Sequence, residues 1–138
     1  MLVGGILSVT DLDLLKIAQE VRGYAYAPYS GFRVGAALVD IDGRVFTGCN
    51  VENASFGLTV CAERVAVSKA VSEGRYQFSR LLITGGEEII TPCGACRQVL
   101  AEFAPHLIVI CASDSGMMIQ YQLKDLLPQG FALQRREA

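Results

Sequence analysis

LLITGGEEIITPCGACRQVLAEFAPHLIVIC, residues 81–111, is the stretch on which the fold turns. Leu81–Thr84 and Leu107–Cys111 at its ends are short, almost wholly apolar runs rich in β-branched residues, the pattern of strands buried on both faces. Cys96–Phe103 between them has helical spacing. Strand, helix and strand in that order predict a parallel crossover, right-handed by the general rule.

Working outward, Arg33–Val39 and Arg44–Gly48 flank Asp40-Ile41-Asp42-Gly43, whose Asp-Gly suits a tight turn, and read as a hairpin. From Asp11 to about Tyr26, Leu12, Leu15, Ala18, Val21 and Ala25 recur at three- and four-residue spacing, with Thr10 where a cap would stand. Glu63–Val71 reads as a second helix stopped by Gly74. Met117–Leu123 reads as a last strand and Lys124–Leu127 as a helical turn before Pro128. The order α-β-β-α-β-α-β-β predicts an α/β fold, a three-layer α-β-α sandwich with a mixed five-stranded sheet. No repeat, low-complexity tract or linker divides residues 1–138, which are expected to form a single domain.

Composition narrows the function. With 12 basic against 14 acidic residues and only 19% charged, the chain has no electrostatic footprint for gripping nucleic acid. No apolar run approaches the roughly 20 residues that span a bilayer, so no membrane partner is expected. The apolar start Met1-Leu2-Val3-Gly4-Gly5-Ile6-Leu7 lacks a basic leading region and runs into Thr10-Asp11-Leu12-Asp13; it reads as mature protein in the cytoplasm, and residues 1–10 receive no role. Five cysteines, an odd number in a chain of this length, argue against a disulfide framework.

The thiols point to a metal instead. Cys93 and Cys96 in Pro92-Cys93-Gly94-Ala95-Cys96 stand three apart at the opening of a helix, with Pro92 suited to its first turn. They can share an ion, and sulfur ligands favour zinc; a redox dithiol or a buried pair without chemistry is the rival reading. Cys61-Ala62-Glu63-Arg64 opens another helix. Residues two apart do not face each other on a helix, so Cys61 must sit at the frayed edge if Cys61 and Glu63 serve one site. Cys61, Cys93 and Cys96 together would leave the fourth zinc position open, the mark of a catalytic site. Cys49 and Cys111 are expected to be buried strand thiols, and His106, the only histidine, a surface residue. Three thiolates give the zinc site a net charge of −1, which two helix N-termini offset in part and Arg64 offsets further; Arg97 is a weaker candidate for that role.

At these residues the chain resembles the cytidine deaminase family, of the small homotetrameric type. Cys61-Ala62-Glu63 and Pro92-Cys93-Gly94-Ala95-Cys96 match the zinc deaminase pattern, with cysteine where the nucleic-acid-editing branch has histidine. Tyr26-Ala27-Pro28-Tyr29-Ser30, Phe32-Arg33-Val34-Gly35-Ala36-Ala37-Leu38, Gly48-Cys49-Asn50-Val51-Glu52-Asn53 and Leu126-Leu127-Pro128 with Phe131 resemble further family blocks, in family order. The resemblance implies one Zn2+ per chain and hydrolytic deamination of cytidine and 2′-deoxycytidine, with Glu63 as base and then acid. It implies that Asn50 and Glu52 hydrogen-bond the ribose hydroxyls and that Phe32 packs near the pyrimidine. Ala62 would offer backbone groups to the base, and Phe131 would reach into a neighbouring subunit's pocket in a homotetramer. Deamination of another aminated ring is the alternative within the same chemistry, and a non-catalytic zinc-stabilised binding module the alternative outside it.

Overall fold

The computed structural model describes residues 2–3 and 6–136, with side chains from Ser8 onward. Two-residue strands β1 (Leu2–Val3) and β2 (Ile6–Leu7) pair with each other apart from the main sheet. Helix α1 (Asp11–Arg22) opens on a capping box: the Asp13 amide donates to Thr10 Oγ1 at 3.1 Å, and the Thr10 amide donates to Asp13 Oδ2 at 3.0 Å. The spacing that predicts a helix to Tyr26 overruns the observed end by about a turn. Tyr26 is drawn away by partners elsewhere. Its amide donates to Asn50 O at 3.0 Å, and its carbonyl accepts from the Glu52 amide at 2.8 Å, so this backbone leaves the helix to pair with a distant segment.

Strands β3 (Gly35–Asp40) and β4 (Val45–Cys49) form the expected hairpin, each displaced by a residue or two from its sequence bounds, with Gly43 at φ 88° in the connection. Helix α2 (Ala62–Ser72) follows, ending before Gly74 at φ 81°. Strand β5 (Phe78–Thr84), helix α3 (Gly94–Phe103) and strand β6 (Ile108–Ala112) make the crossover, with β5 and β6 parallel. Strand β7 (Met118–Gln122) and the short helix α4 (Leu123–Leu126) complete the chain. The sheet order is β4-β3-β5-β6-β7, all pairs antiparallel except β5 with β6.

Alternation along the strands builds a core on each face. Ala37, Val39, Leu82, Ile110 and Ala112 pack with Leu14, Leu15 and Ala18 of α1. Ala36, Leu38, Leu81, Ile83, Val109 and Cys111 pack with Ala66, Val67, Leu100 and Leu123 from α2, α3 and α4. Both faces are covered, which is why the central strands read as continuous apolar runs. Cys111 is fully buried, whereas Cys49, expected to be buried as well, is half-buried. It shares the partly exposed face of the edge strand β4 with Val45 and Thr47, where only one neighbouring strand shields it.

An ion pair fastens the end of α1 to the loop after β6. Arg22 donates from Nη1 and Nη2 to the two carboxylate oxygens of Asp114, each at 2.9 Å, and Gln19 donates to the same carboxylate at 3.1 Å. The Arg22 guanidinium holds the Asp114 carboxyl below its usual range. A lowered carboxyl pKa stabilises the fold above the unfolded-state pKa and loses that contribution as pH falls through the folded value. Asp114→Asn is expected to cost about 1 kcal/mol at pH 7, with the difference from the parent closing below about pH 4 in urea unfolding measured across pH.

Candidate active site

Helices α2 and α3 both begin on a cysteine. Cys61 is the N-cap of α2 and Cys93 the N-cap of α3, each in extended backbone and neither using its side chain to cap its own helix. Their sulfurs are therefore free to meet. Pro92, expected in the first helical turn, lies one residue before the N-cap, because Cys93 takes the capping position and the helix starts at Gly94. Cys96, fully buried, follows one turn inside α3.

Close packing brings α2 into place. A Cβ on Gly48 of β4 would lie 2.2 Å from Ala62 O and 2.6 Å from the Ala66 amide nitrogen, so only glycine lets the start of α2 approach the sheet this closely. Cys61 Sγ then stands 3.9 Å from Cys93 Sγ, and Cys93 Sγ 3.5 Å from Cys96 Sγ. A tetrahedral zinc with Zn–S bonds of about 2.3 Å spaces its sulfurs about 3.8 Å apart, so the donor set fits that ion. Among the described residues these three form the one group of at least three cysteine, histidine or carboxylate ligand atoms close enough to share a metal, all within 4.8 Å of one another. Exposed His106, half-buried Cys49 and buried Cys111 all lie outside it.

The electrostatics divide the thiols. The Cys61 thiol is lowered to about 5, chiefly by its hydrogen bond with Cys96, then by Arg64 and Cys93. Cys96 moves the opposite way, raised chiefly by its contact with Cys61, then by burial and the nearby Glu63 charge. Arg64 Nη2 donates to Cys61 Sγ at 3.7 Å and to Thr59 O at 3.2 Å, placing a fixed positive charge on the sulfur cluster. Its Nε is buried without an acceptor. Arg97 does not share this role: it donates to Pro92 O, Leu126 O and Thr91 Oγ1, and braces the loop before α3 against α4.

Glu63 lies in the first turn of α2, 5% exposed, and burial raises its carboxyl above the ordinary range, with the Cys61 thiolate adding to the rise. Ala62 between them is fully buried. Burial and the Glu63 charge together push the Cys111 thiol up to about 11, leaving it an inert neutral group on the floor of the sheet.

A second cluster adjoins the first through the backbone. Val51 and Val60 exchange both hydrogen bonds at 2.9 Å, so residues 50–52 lie beside the strand that leads directly into Cys61. Asn50 Nδ2 donates to Phe32 O at 2.8 Å, and its Oδ1 accepts from the Val34 amide at 2.8 Å. Glu52 Oε1 accepts from the amides of Tyr29 at 2.9 Å and Ser30 at 3.1 Å, while Oε2 accepts from the Ser30 hydroxyl. These bonds hold the Glu52 carboxyl below its usual range, that to the Ser30 hydroxyl foremost. Phe32, half-exposed, lays its ring against Gly85, where a Cβ would come within 2.8 Å of it.

Phe131 packs elsewhere in its own chain. Its backbone is held by Gln98, which donates to the carbonyl at 2.8 Å and accepts from the amide at 3.0 Å, and the residue is 68% exposed. Gln98 and Ser30 stand in the stretches that resemble family blocks but receive no role from the sequence; in the structure both hold backbone. Ser30 carries a local signal, a serine two residues before an amide that its hydroxyl can accept from, whereas Gln98 acts at a distance of 33 residues and carries none. A cleft of about 540 Å3 lined by Asp40, Asp42, Arg75, Glu102 and Arg135 lies at the other end of β3, its charges paired among themselves.

Three cysteines with a buried carboxyl beside them, at the start of two helices on a mixed five-stranded α/β sandwich, make a metal site with an acid at hand. The family model for the cytidine and deoxycytidylate deaminase zinc-binding region matches residues 8–112. A cytidine deaminase from Halalkalibacterium halodurans is 46% identical over 120 residues, covering 86% of this chain and 91% of that one. A probable cytidine deaminase from Dictyostelium discoideum is also 46% identical over 120 residues, with 86% and 81% covered. A crystal structure of cytidine deaminase from Burkholderia pseudomallei superposes with a TM-score of 0.85 at 47% identity, covering 88% of this chain and 99% of the other. The chain belongs to this zinc-dependent cytidine and deoxycytidylate deaminase family, in its small type with a three-cysteine site. It holds one zinc ion per chain through Cys61, Cys93 and Cys96. Metal content measured on single variants checks the ligand set: Cys61→Ala, Cys93→Ala and Cys96→Ala should lose zinc, whereas Cys49→Ala and His106→Gln should keep it at one per chain. Loss of zinc from either of the last two would reveal a fourth protein ligand.

Proposed function

We propose that the chain hydrolyses cytidine and 2′-deoxycytidine to uridine and 2′-deoxyuridine with release of ammonia, and that Glu63 transfers the protons. The observation that carries this reading is a buried carboxyl two residues from a ligand of a three-sulfur site that has no fourth protein donor among the described residues. Zinc, when bound there, supplies the Lewis acidity that makes water acidic enough to serve as a nucleophile near neutral pH. Glu63 takes a proton from that water and delivers it to N3, which makes C4 electrophilic as the C4–O bond forms. It then carries a second proton from the new hydroxyl to the amine as the C4–N bond breaks. A carboxyl raised by burial suits this double duty, since its proton affinity approaches that of the groups it exchanges with.

Recognition falls to the adjoining cluster. After its two backbone bonds Asn50 keeps one N–H and one lone pair, and Glu52 keeps one of its roughly four acceptor positions, enough for the sugar hydroxyls. Phe32 offers a ring face to the pyrimidine, and Ala62 offers backbone groups at the start of α2. Arg64 offsets the charge of three thiolates. No nucleic acid takes part in this reading, and no helix of the described residues is long and apolar enough to cross a membrane. A single deaminase domain over residues 1–138 in the cytoplasm, where the five free thiols stay reduced, completes it.

The same reading makes the chain a homotetramer with shared sites. Tyr24, Tyr26, Tyr29, Val51, Phe56 and Leu58, each 44–78% exposed, cluster on the segments around the proposed sugar site, an apolar collar that partner subunits would cover. Phe131 would reach a neighbour's pocket. Light scattering should give a tetramer, and a monomer with full turnover would overturn the sharing. Glu63→Gln should keep its fold and zinc while ammonia release from cytidine drops by about 10²-fold or more; ordinary activity in that variant would remove Glu63 from the mechanism.

A further inference from the structure

We infer that Ser30 is a specificity-determining positioning residue: its hydroxyl ties the Glu52 carboxylate to the Phe32 backbone and so sets the preference for nucleosides that carry sugar hydroxyls. The inference rests on the proposed role of Glu52 toward the sugar. It begins from the bond inventory of one hydroxyl. Ser30 Oγ accepts from the Phe32 amide at 2.9 Å, which leaves its single proton for another acceptor, and that acceptor is Glu52 Oε2. One oxygen therefore joins the carboxylate to the aromatic residue in the same loop.

The geometry of the loop makes this arrangement specific to residue 30. Gly31 has φ 71°, the left-handed conformation that folds the chain back so that the Phe32 amide faces the serine two residues before it. The Gly31 amide donates to Ala27 O at 2.9 Å and closes the turn from the other side. Glu52 then receives three donors from this turn, two amides on Oε1 and the hydroxyl on Oε2.

The two oxygens do different work. The final torsion of a glutamate side chain is broad, so a carboxylate held by one oxygen alone still swings about that point. Two amides on Oε1 provide the point; the Ser30 hydroxyl on Oε2 fixes the plane. Fixing the plane fixes the direction of the one acceptor position left on Oε2, which is the position available to a sugar hydroxyl. Asn50 holds Phe32 by its carbonyl while Ser30 holds it by its amide, so the peptide groups flanking the ring residue are pinned on both sides.

Steady-state kinetics on cytidine and on 2′,3′-dideoxycytidine, which lacks the 2′- and 3′-hydroxyls and keeps the 5′-hydroxyl, separate this role from a general one in holding the loop. Ser30→Ala should lower kcat/KM for cytidine about tenfold, mainly through KM, and change that for the dideoxynucleoside by less than about threefold. Ser30→Thr, which restores the hydroxyl, should recover most of the loss, and Glu52→Gln should show the same selective loss as Ser30→Ala. An equal loss on both substrates in Ser30→Ala would overturn the inference, since it would mean that the serine only supports the loop. So would a selective loss in Glu52→Gln with none in Ser30→Ala. If Glu52→Gln treats the two substrates alike, the sugar role of Glu52 falls and the inference falls with it. A parent enzyme that releases no ammonia from cytidine would instead sink the proposed function itself.

Discussion

Three sulfurs from two helix starts must come within 4.8 Å of one another, and the rest of the molecule is arranged around that requirement. Thiolates repel, so the cluster needs positive potential. It sits where two helices begin, each carrying a partial positive charge at its N-terminus, and Arg64 adds a full charge from the first turn of α2. Cysteine at the capping position gives up the usual capping bond of serine or aspartate in both helices. What the helices lose in local stability, the shared ion and the packing behind them restore.

That packing is a matter of a few small residues. Gly48 lets α2 touch β4, and fully buried Ala62, Ala66 and Ala70 let the helix lie close along its length. The close approach has a chemical consequence, because it buries Glu63 beside the sulfurs rather than leaving it on an outer face. Burial raises its proton affinity, which is what the proposed role of giving protons as well as taking them asks of this glutamate.

The loop network beside the sulfur site obeys a different logic. The chain between α1 and β3 has no regular structure of its own, and its backbone groups need partners. Asn50, Glu52 and Ser30 supply them, so the side chains proposed to meet the sugar are the same ones that hold the loop in shape. Binding and folding share these bonds, and their remaining acceptor and donor positions are fixed before any ligand arrives.

Much of this was legible without coordinates. The apolar runs at Leu81 and Leu107 with a helix between them specified a parallel crossover, because only strands covered on both faces read that way. The Cys-x-x-Cys spacing and the Cys61-Ala62-Glu63 run pointed to a sulfur-ligated metal with an acid nearby but left a redox dithiol open, since spacing along a helix start tells what its side chains can reach and not which distant sulfur joins them. Other features belong to contacts between distant segments. The end of α1 four residues short of its periodicity depended on Tyr26 finding Asn50 and Glu52, and the half-exposure of Cys49 depended on β4 lying at the sheet edge. The absence of Arg97 from the sulfur cluster depended on acceptors at Leu126 and Pro92. Periodicity and spacing are properties of neighbours in the chain, so the sequence alone determined the elements and the ligand types. Strand order, close approach and competition for hydrogen-bond partners arise only when segments separated along the chain meet, and those the tertiary structure decided.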